Sequence, residues 1–380
     1  MTPALLIVTT SYPRTGDGSE AAGSFVADLA AELARSMPVR VVAPGDTTAV
    51  EAPAGGVTVY RFAAPATTLS NLRLRNPLQA FAIAAVLRRG SQAVQAAAAD
   101  GAVVHTLACW ALPCGWWARQ LKRQRGVPYS VWMLGSDVWS LGRIPLVRGF
   151  LRTAMRDAAV RYADGLQLAA DSRRIGGKDV EFLPSTRRLE TRDPPPPAAQ
   201  PPYRLCFIGR WHPNKGVDLL LDALALLDVD DWDRIAAVQV YGGGPLDTVV
   251  RQKAQALRER GLPLEVGGFL SKAAAERAIA AADYQLLPSR IESIPVVFSD
   301  AMKLARPVIA MPVGDLPSLY ANAAAGVLAE RTDAAAFADA IRQALRRSPR
   351  EFDAAVHTQA AAFDLERIAA RLLARLRAPA

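Results

Sequence analysis

Histidine and cysteine are scarce in this 380-residue chain, three of each. Cys109, Cys114 and Cys206 form no Cys-x-x-Cys pair and no even framework. A disulfide scaffold is therefore not expected, and a reducing compartment, the cytoplasm, is. Long apolar runs are missing too: none approaches the ~20 residues that cross a bilayer. The opening residues MTPALLIVTTSYP carry no basic region before their short apolar run, so they read as a first strand and not as a signal peptide. Zinc-finger spacings and the aromatic signatures of RNA-binding modules are absent, which excludes nucleic acid as the expected partner. The glycines after the first strand do not spell GxGxxG, so a dinucleotide fingerprint is not supported.

What is present is a globular composition, 51% hydrophobic and 21% charged. The length suits two domains of roughly 150–200 residues better than one. The net charge of +9 is uneven. Residues 1–190 hold 22 Lys and Arg against 14 Asp and Glu, a net of +8, and residues 191–380 hold 23 against 22. The excess is clustered: Arg73, Arg75, Arg88 and Arg89; Arg119, Lys122, Arg123 and Arg125; and Arg143, Arg148, Arg152, Arg156 and Arg161. Such clusters are either solvated helix faces or a surface for an anionic membrane.

The most informative stretch is residues 288–314, PSRIESIPVVFSDAMKLARPVIAMPVG. The apolar run 284–287 before it reads as a buried strand. Pro295 suits the first position of a helix reaching about Leu304, with Ser293 near its cap, and Arg306-Pro307 stops that helix. Residues 308–311 are the next strand. Backbone N–H groups of Ser293, Ile294, Pro295's neighbours and Val296 then surround a helix N-terminus, where phosphate binds well. Glu292 stands beside that point and Asp300 eight positions on; each carboxylate can take the two donors of a vicinal diol, although a loop acid and a surface acid are the plain alternative. In the other half, strand 5–10 leads through a loop to a helix at about 24–35, with Gly23 at its entrance as another phosphate approach. A strand at 39–44 follows. This β-loop-α-β start argues for a parallel, doubly wound sheet.

The spacing of the acids, framed by PSxxE, DAM and PVIA, resembles the signature of retaining family-4 glycosyltransferases of the GT-B fold. The SYPR…GSFV opening resembles that family's first half. The resemblance implies two Rossmann-like domains facing across a cleft. Glu292 would contact the donor sugar, Asp300 the nucleotide ribose, and the helix start between them the diphosphate. Arg210 and Lys215, in GRWHPNKG after the strand 205–209, match the pair that neutralises the diphosphate and its leaving group; an Arg fork and a Lys point charge suit that task. Gly243 ends a strand where backbone approaches a nucleotide, and Phe269 and Leu270 fall in a segment that contacts the base. His105, at a strand end, and Asp137 match residues near the reaction centre. The chain departs from the pattern at Leu134, where the family has histidine; at residues 184–187, Pro-Ser-Thr-Arg, where it has an Asn-Gly-Val-Asp turn; at Asp300, more often Glu; and at Asp315, where a second glycine is usual.

The expected division is an acceptor-binding domain at 1–190, a linker at 191–202 with six prolines, a donor-binding domain at 203–360 and a terminal helix at 361–380 that packs back on the first domain. The Asp-Val-Asp run at 228–230 lies between a helix and a strand and reads as a solvated turn, so no metal site and no cofactor is expected. The implied activity is transfer of a sugar, with retention, from a nucleotide diphospho-sugar to a glycan or lipid-linked acceptor. Its expected place is the cytoplasm or the inner membrane face. A nucleotide-sugar epimerase or hydrolase would need acid/base residues that three histidines hardly supply. A non-catalytic nucleotide-sugar-binding subunit is the other alternative, motivated by Leu134 and the lost turn.

Overall fold

A computed structural model describes residues 2–14, 23–52, 55–64 and 77–377; Arg73 and Arg75 and most of the loop after the first strand lie outside them. The chain divides into two compact units, Met1–Leu183 with Leu365–Ala380, and Pro184–Asp364. The break therefore falls before the expected boundary at 190.

In the first unit the order is β1 (Ala4–Val8), α1 (Ser24–Ala34), β2 (Val39–Gly45), β3 (Ala49–Glu51), β4 (Val57–Ala63), α2 (Pro77–Ala97), β5 (Val103–Cys109), α3 (Cys114–Arg125), β6 (Tyr129–Met133), α4 (Ser136–Trp139), α5 (Pro145–Asp157), β7 (Val160–Ala163), α6 (Leu166–Gly176) and β8 (Glu181–Phe182). The strands form one sheet in the order β3-β4-β2-β1-β5-β6-β7-β8, parallel except for β3 against β4. Side chains alternate across it. Leu6 and Val8 of β1 face the helices α2, α3, α5 and α6, where Val94, Trp117, Leu151 and Leu168 cover them. Leu5 and Ile7 face the opposite core, built by Leu29 and Leu33 of α1 and by Ile368 and Leu372 of the terminal helix.

The second unit runs β9 (Tyr203–Arg210), α7 (Val217–Ala225), α8 (Val229–Trp232), β10 (Ile235–Gly243), α9 (Asp247–Glu259), β11 (Leu264–Gly267), α10 (Lys272–Ala281), β12 (Tyr284–Leu287), α11 (Val296–Lys303), β13 (Val308–Ala310), α12 (Leu316–Asn322), β14 (Gly326–Leu328), α13 (Ala334–Leu345) and α14 (Asp353–Ala360). Its six strands are all parallel, in the order β11-β10-β9-β12-β13-β14. Numbered within the unit, that is the doubly wound order 3-2-1-4-5-6, whose direction of winding reverses between β9 and β12. The last helix, α15 (Leu365–Arg377), belongs to the first unit.

The proline-rich stretch is not a free linker. Residues 184–202 are strapped along the second unit. The Thr186 hydroxyl donates to the Phe363 carbonyl at 2.8 Å, and the N–H of Glu190 donates to Glu276 at 3.1 Å. Arg350 donates to the carbonyl of Pro197 at 2.9 Å, and the N–H of Ala198 to Asp283 at 2.6 Å. A chain of prolines makes no ladder, but its carbonyls remain acceptors, and arginines of the unit take them.

The Asp-Val-Asp run is solvated as expected, all three residues being exposed, but it opens a short helix instead of a turn. Asp228 and Asp231 form a capping box on α8, and Asp231 accepts from Arg342 Nε at 2.8 Å. These carboxylates precede β10, at the end of the sheet away from the strands' carboxyl ends. No helix among the described residues is long and apolar enough to cross a membrane.

Candidate functional site

The reversal between β9 and β12 opens a crevice at the carboxyl ends of these strands, the usual ligand position in such sheets. Two loops meet there. The first follows β9 and carries Arg210, exposed at the strand's last position, and Lys215. The second follows β12 and carries Ser289 and Glu292. Lys215 Nζ is paired with Glu292 Oε1, and the Ser289 hydroxyl donates to the same oxygen at 3.2 Å. The structure thus brings together Lys215 and Glu292, 77 positions apart in the chain.

Gly216 makes the approach of the loops close. Its φ is 69°, a left-handed conformation, and a Cβ there would lie 1.9 Å from the carbonyl oxygen of Pro288. Gly314, φ 56°, plays the same part after β13, where a Cβ would lie 2.3 Å from the carbonyl oxygen of Glu292. Arg290 completes the join with two bonds to Asp218, at 2.8 and 2.9 Å, and one to the Pro213 carbonyl at 2.8 Å. Burial opposes ionisation of Asp218, and the Arg290 guanidinium outweighs it, holding the carboxyl below its ordinary range. Neither Arg290 nor Asp218 was singled out by the sequence; a clamp between two loops has no spacing signature.

The electrostatics are positive. His212 is held below its ordinary pKa by partial burial and by the nearby cations Arg210 and Lys215. Facing them, α11 starts at Val296 with Pro295 as the capping residue. Pro295 is therefore one position earlier relative to the helix than expected, and Ser293 lies in the loop before it. Ser293 is buried, with no hydrogen-bond partner for its hydroxyl among the described residues. Ile294 is buried beside it. On the other side of β9, Gly243 ends β10, and a Cβ there would come within 2.6 Å of the ring of Phe269. Phe269 is 59% exposed, and Leu270 is half-buried next to it.

Four expected site residues lie outside these two loops. Asp300 is fully buried, and its Oδ2 is paired with Arg187, so it does not line an open ribose pocket. Gly23 belongs to the first unit, with φ 76° at the start of α1, where a Cβ would lie 2.3 Å from the Ser11 carbonyl oxygen. His105 is not at a strand end. It is the third of seven residues in β5, buried, lining a small cavity together with Leu372 and Leu376 of α15, with Nε2 2.9 Å from the Ser130 hydroxyl. Burial pushes its pKa down to about 4. Asp137 is buried and accepts from the N–H groups of Ala111 at 2.7 Å and Val138 at 3.1 Å, tying the end of β5 to α4. Burial, partly offset by those bonds, pushes its pKa up to about 6. A reaction centre needs groups at the carboxyl ends of strands and open to a ligand; His105 lies inside its strand, and Asp137, although at the carboxyl ends of β5 and β6, is sealed from solvent. What does stand at the carboxyl end of β5 is half-buried Trp110, at φ 72°, a strained conformation for a bulky residue. Leu134 packs in the same core cluster as Trp110, Tyr12 and Phe25.

No group of three or more His, Cys, Asp or Glu side chains among the described residues is placed to hold a metal ion.

Comparison with known proteins agrees with this geometry. Residues 21–186 match the family described as glycosyl transferase 4-like domain, and residues 202–347 match glycosyl transferases group 1. The D-inositol 3-phosphate glycosyltransferase of Geodermatophilus obscurus is 35% identical over 184 residues, 46% of this chain and 40% of that protein. The enzyme of the same name from Mycolicibacterium smegmatis is 32% identical over 177 residues, 45% of this chain and 39% of that protein. The matched stretch thus spans about two-fifths of the length of these curated relatives. Among solved structures, sucrose-phosphate synthase from Thermosynechococcus elongatus superimposes with a TM-score of 0.75 at 19% identity, covering 99% of this chain and 98% of that one. HepE of Anabaena, solved with UDP-glucose, gives 0.69 at 15% identity, covering 98% of this chain and 99% of that one. With both halves matched and the two parallel-sheet domains in place, the chain belongs to the group 1, family-4-like glycosyltransferases of the GT-B fold.

Proposed function

We propose that the protein transfers a sugar, with retention, from a nucleotide diphospho-sugar to an acceptor hydroxyl in bacterial glycan or glycolipid assembly. The convergence of Lys215 and Glu292 at the winding reversal of the second sheet, beside Arg210 and the start of α11, carries this reading. Arg210, Lys215 and the first turn of α11 stabilise negative charge on the leaving diphosphate. Glu292 accepts hydrogen bonds from hydroxyls of the transferred sugar. The bond from the anomeric carbon to the diphosphate oxygen breaks, and a bond to the acceptor oxygen forms on the same face. The acceptor's proton passes to the leaving diphosphate. Phe269 and Leu270 cover the base. UDP-glucose in the complex of the Anabaena neighbour supports a nucleotide-sugar donor. Transfer needs no metal, because charge neutralisation falls to protein cations and a helix terminus.

The acceptor is proposed to be membrane-borne, approached from the cytoplasmic side. The positive first half supports this, and so does an exposed apolar surface. Ile144, Leu146 and Phe150 of α5 and the residue before it are 42%, 81% and 48% exposed. Phe150 stacks edge-on against Trp116 at 4.9 Å, and Trp116 in turn lines a groove of about 520 Å³ with Leu87 and Arg88.

The test is turnover of a panel of nucleotide sugars in excess chelator. Arg210→Ala, Lys215→Ala and Glu292→Ala are each expected to lower it at least tenfold with unchanged circular dichroism. Near-normal turnover in all three, or complete loss in chelator with rescue by manganese, would overturn the assignment.

A further inference from the structure

The sequence departs from its family's pattern at residues 184–187 and at Asp300, and in the fold these two departures meet. Asp300 is 0% exposed, on the second turn of α11, and its Oδ2 is paired with the guanidinium of Arg187, itself 11% exposed. Lys303, one turn further on, holds its ammonium 3.9 Å from Oδ1 of Asp300. That ammonium also donates to the Thr186 hydroxyl at 2.7 Å and to the backbone carbonyl of Arg187. The strap 184–187 is thus fastened to α11 through one acid and two cations. An aspartate ends about 1.5 Å short of a glutamate at the same position, one C–C bond. From a helix turn already covered by the strap, it reaches Arg187 and not the crevice. Asp300 Oδ1 accepts no hydrogen bond among the described residues, but it is sealed from solvent.

We propose that Arg187 is a specificity-determining residue: by locking Asp300 into the strap it removes the carboxylate that would read the ribose, so the donor is recognised through its diphosphate and its transferred sugar. This rests on the donor reading above. Its consequence is a site with little dependence on ribose hydroxyls.

The experiment compares calorimetric binding of UDP, GDP and ADP to the full-length protein with binding of their 2′,3′-dideoxy analogues. For whichever nucleotide binds, the dideoxy form is expected within threefold of its parent. Asp300→Asn and Arg187→Met are expected to lower the melting temperature and to change the nucleotide Kd by less than threefold. Arg187→Val combined with Asp300→Glu is expected to raise the preference for the ribose form to tenfold or more. A tenfold preference already in the wild-type protein, or Asp300→Asn weakening binding tenfold at unchanged melting temperature, overturns the proposal alone. Failure of all three nucleotides to bind overturns the donor reading and this inference with it. The wild-type comparison requires no variant to fold.

Discussion

A buried histidine titrates against its fold. His105 has an ordinary pKa of 6.5, lowered to about 4 in the folded protein by burial. Above pH 6.5 the ring is neutral in both states and contributes no pH dependence. As pH falls from 6.5 towards 4, the unfolded chain takes up a proton that the folded one refuses, and stability falls. At pH 5 this amounts to roughly 2 kcal/mol. Urea unfolding of the wild type and of His105→Gln at pH 7 and pH 5 checks it. The wild type is expected to lose about 2 kcal/mol relative to the variant on acidification. A difference that stays constant with pH would show that the ring is not sealed against α15. Asp137 acts in the opposite direction. Its raised pKa makes the folded state hold a proton longer, so its contribution falls as pH rises from about 4 to about 6.

Among the elements, the decisive contact is between the loops after β9 and β12. Arg290 and Asp218 hold it from one side, and Gly216 permits it from the other. Gly216→Ala places a Cβ 1.9 Å from the Pro288 carbonyl oxygen and forces an L-residue to φ 69°. One or both loops must withdraw, which separates Lys215 from Glu292. A destabilisation of about 3 kcal/mol is expected, together with at least tenfold weaker nucleotide binding. Denaturant unfolding and calorimetry measure both. Wild-type values in this variant would show that the two loops do not touch.

At the scale of the whole molecule, charge and exposed apolar area coincide in the first unit. Part of the charge is already committed: Arg119 pairs with Asp157 at 2.5 Å, and Lys122 and Arg125 donate to the carbonyls of Asp157 and Ala98. Arg148 is exposed on α5, two positions from each of Leu146 and Phe150 and so on a different face of the helix. Each basic residue at an anionic surface contributes about 1 kcal/mol, screened by salt, and each inserted Leu or Phe about 1.5–3 kcal/mol, which salt does not screen. Sedimentation with anionic vesicles at low and high salt is expected to show binding that high salt weakens. Leu146→Asp with Phe150→Asp is expected to abolish it. Arg119, Lys122, Arg123 and Arg125 replaced together by Gln are expected to weaken it only in part. No co-sedimentation of the wild type at low salt would end the membrane reading, and full binding by the Leu146 and Phe150 variant would exclude α5 as its contact.

The sequence by itself determined what depends on neighbours along the chain. Runs of Val, Ile and Leu bounded by Gly and Pro mark β1, β2, β6, β12 and β13, and their alternation with amphipathic stretches dictates parallel sheets. The residues proposed for the donor site, Arg210, Lys215 and Glu292, stand out for the same reason, since each sits a few positions beyond a readable strand. Only the tertiary structure decided which carboxylates are accessible. Asp137, Asp300 and Glu292 are all acids near strand ends or helix starts in the sequence. Burial and the partners Ala111, Arg187 and Lys215 separate them. The same holds for the prolines at 194–202, which read as a linker until the arginines and acids of the second unit are seen to bind their backbone, and for Trp110, whose strain is a property of φ and not of composition. Local propensity is written over a few residues, whereas solvent access and ion pairing arise between groups as far apart as Arg187 and Asp300, 113 positions along the chain.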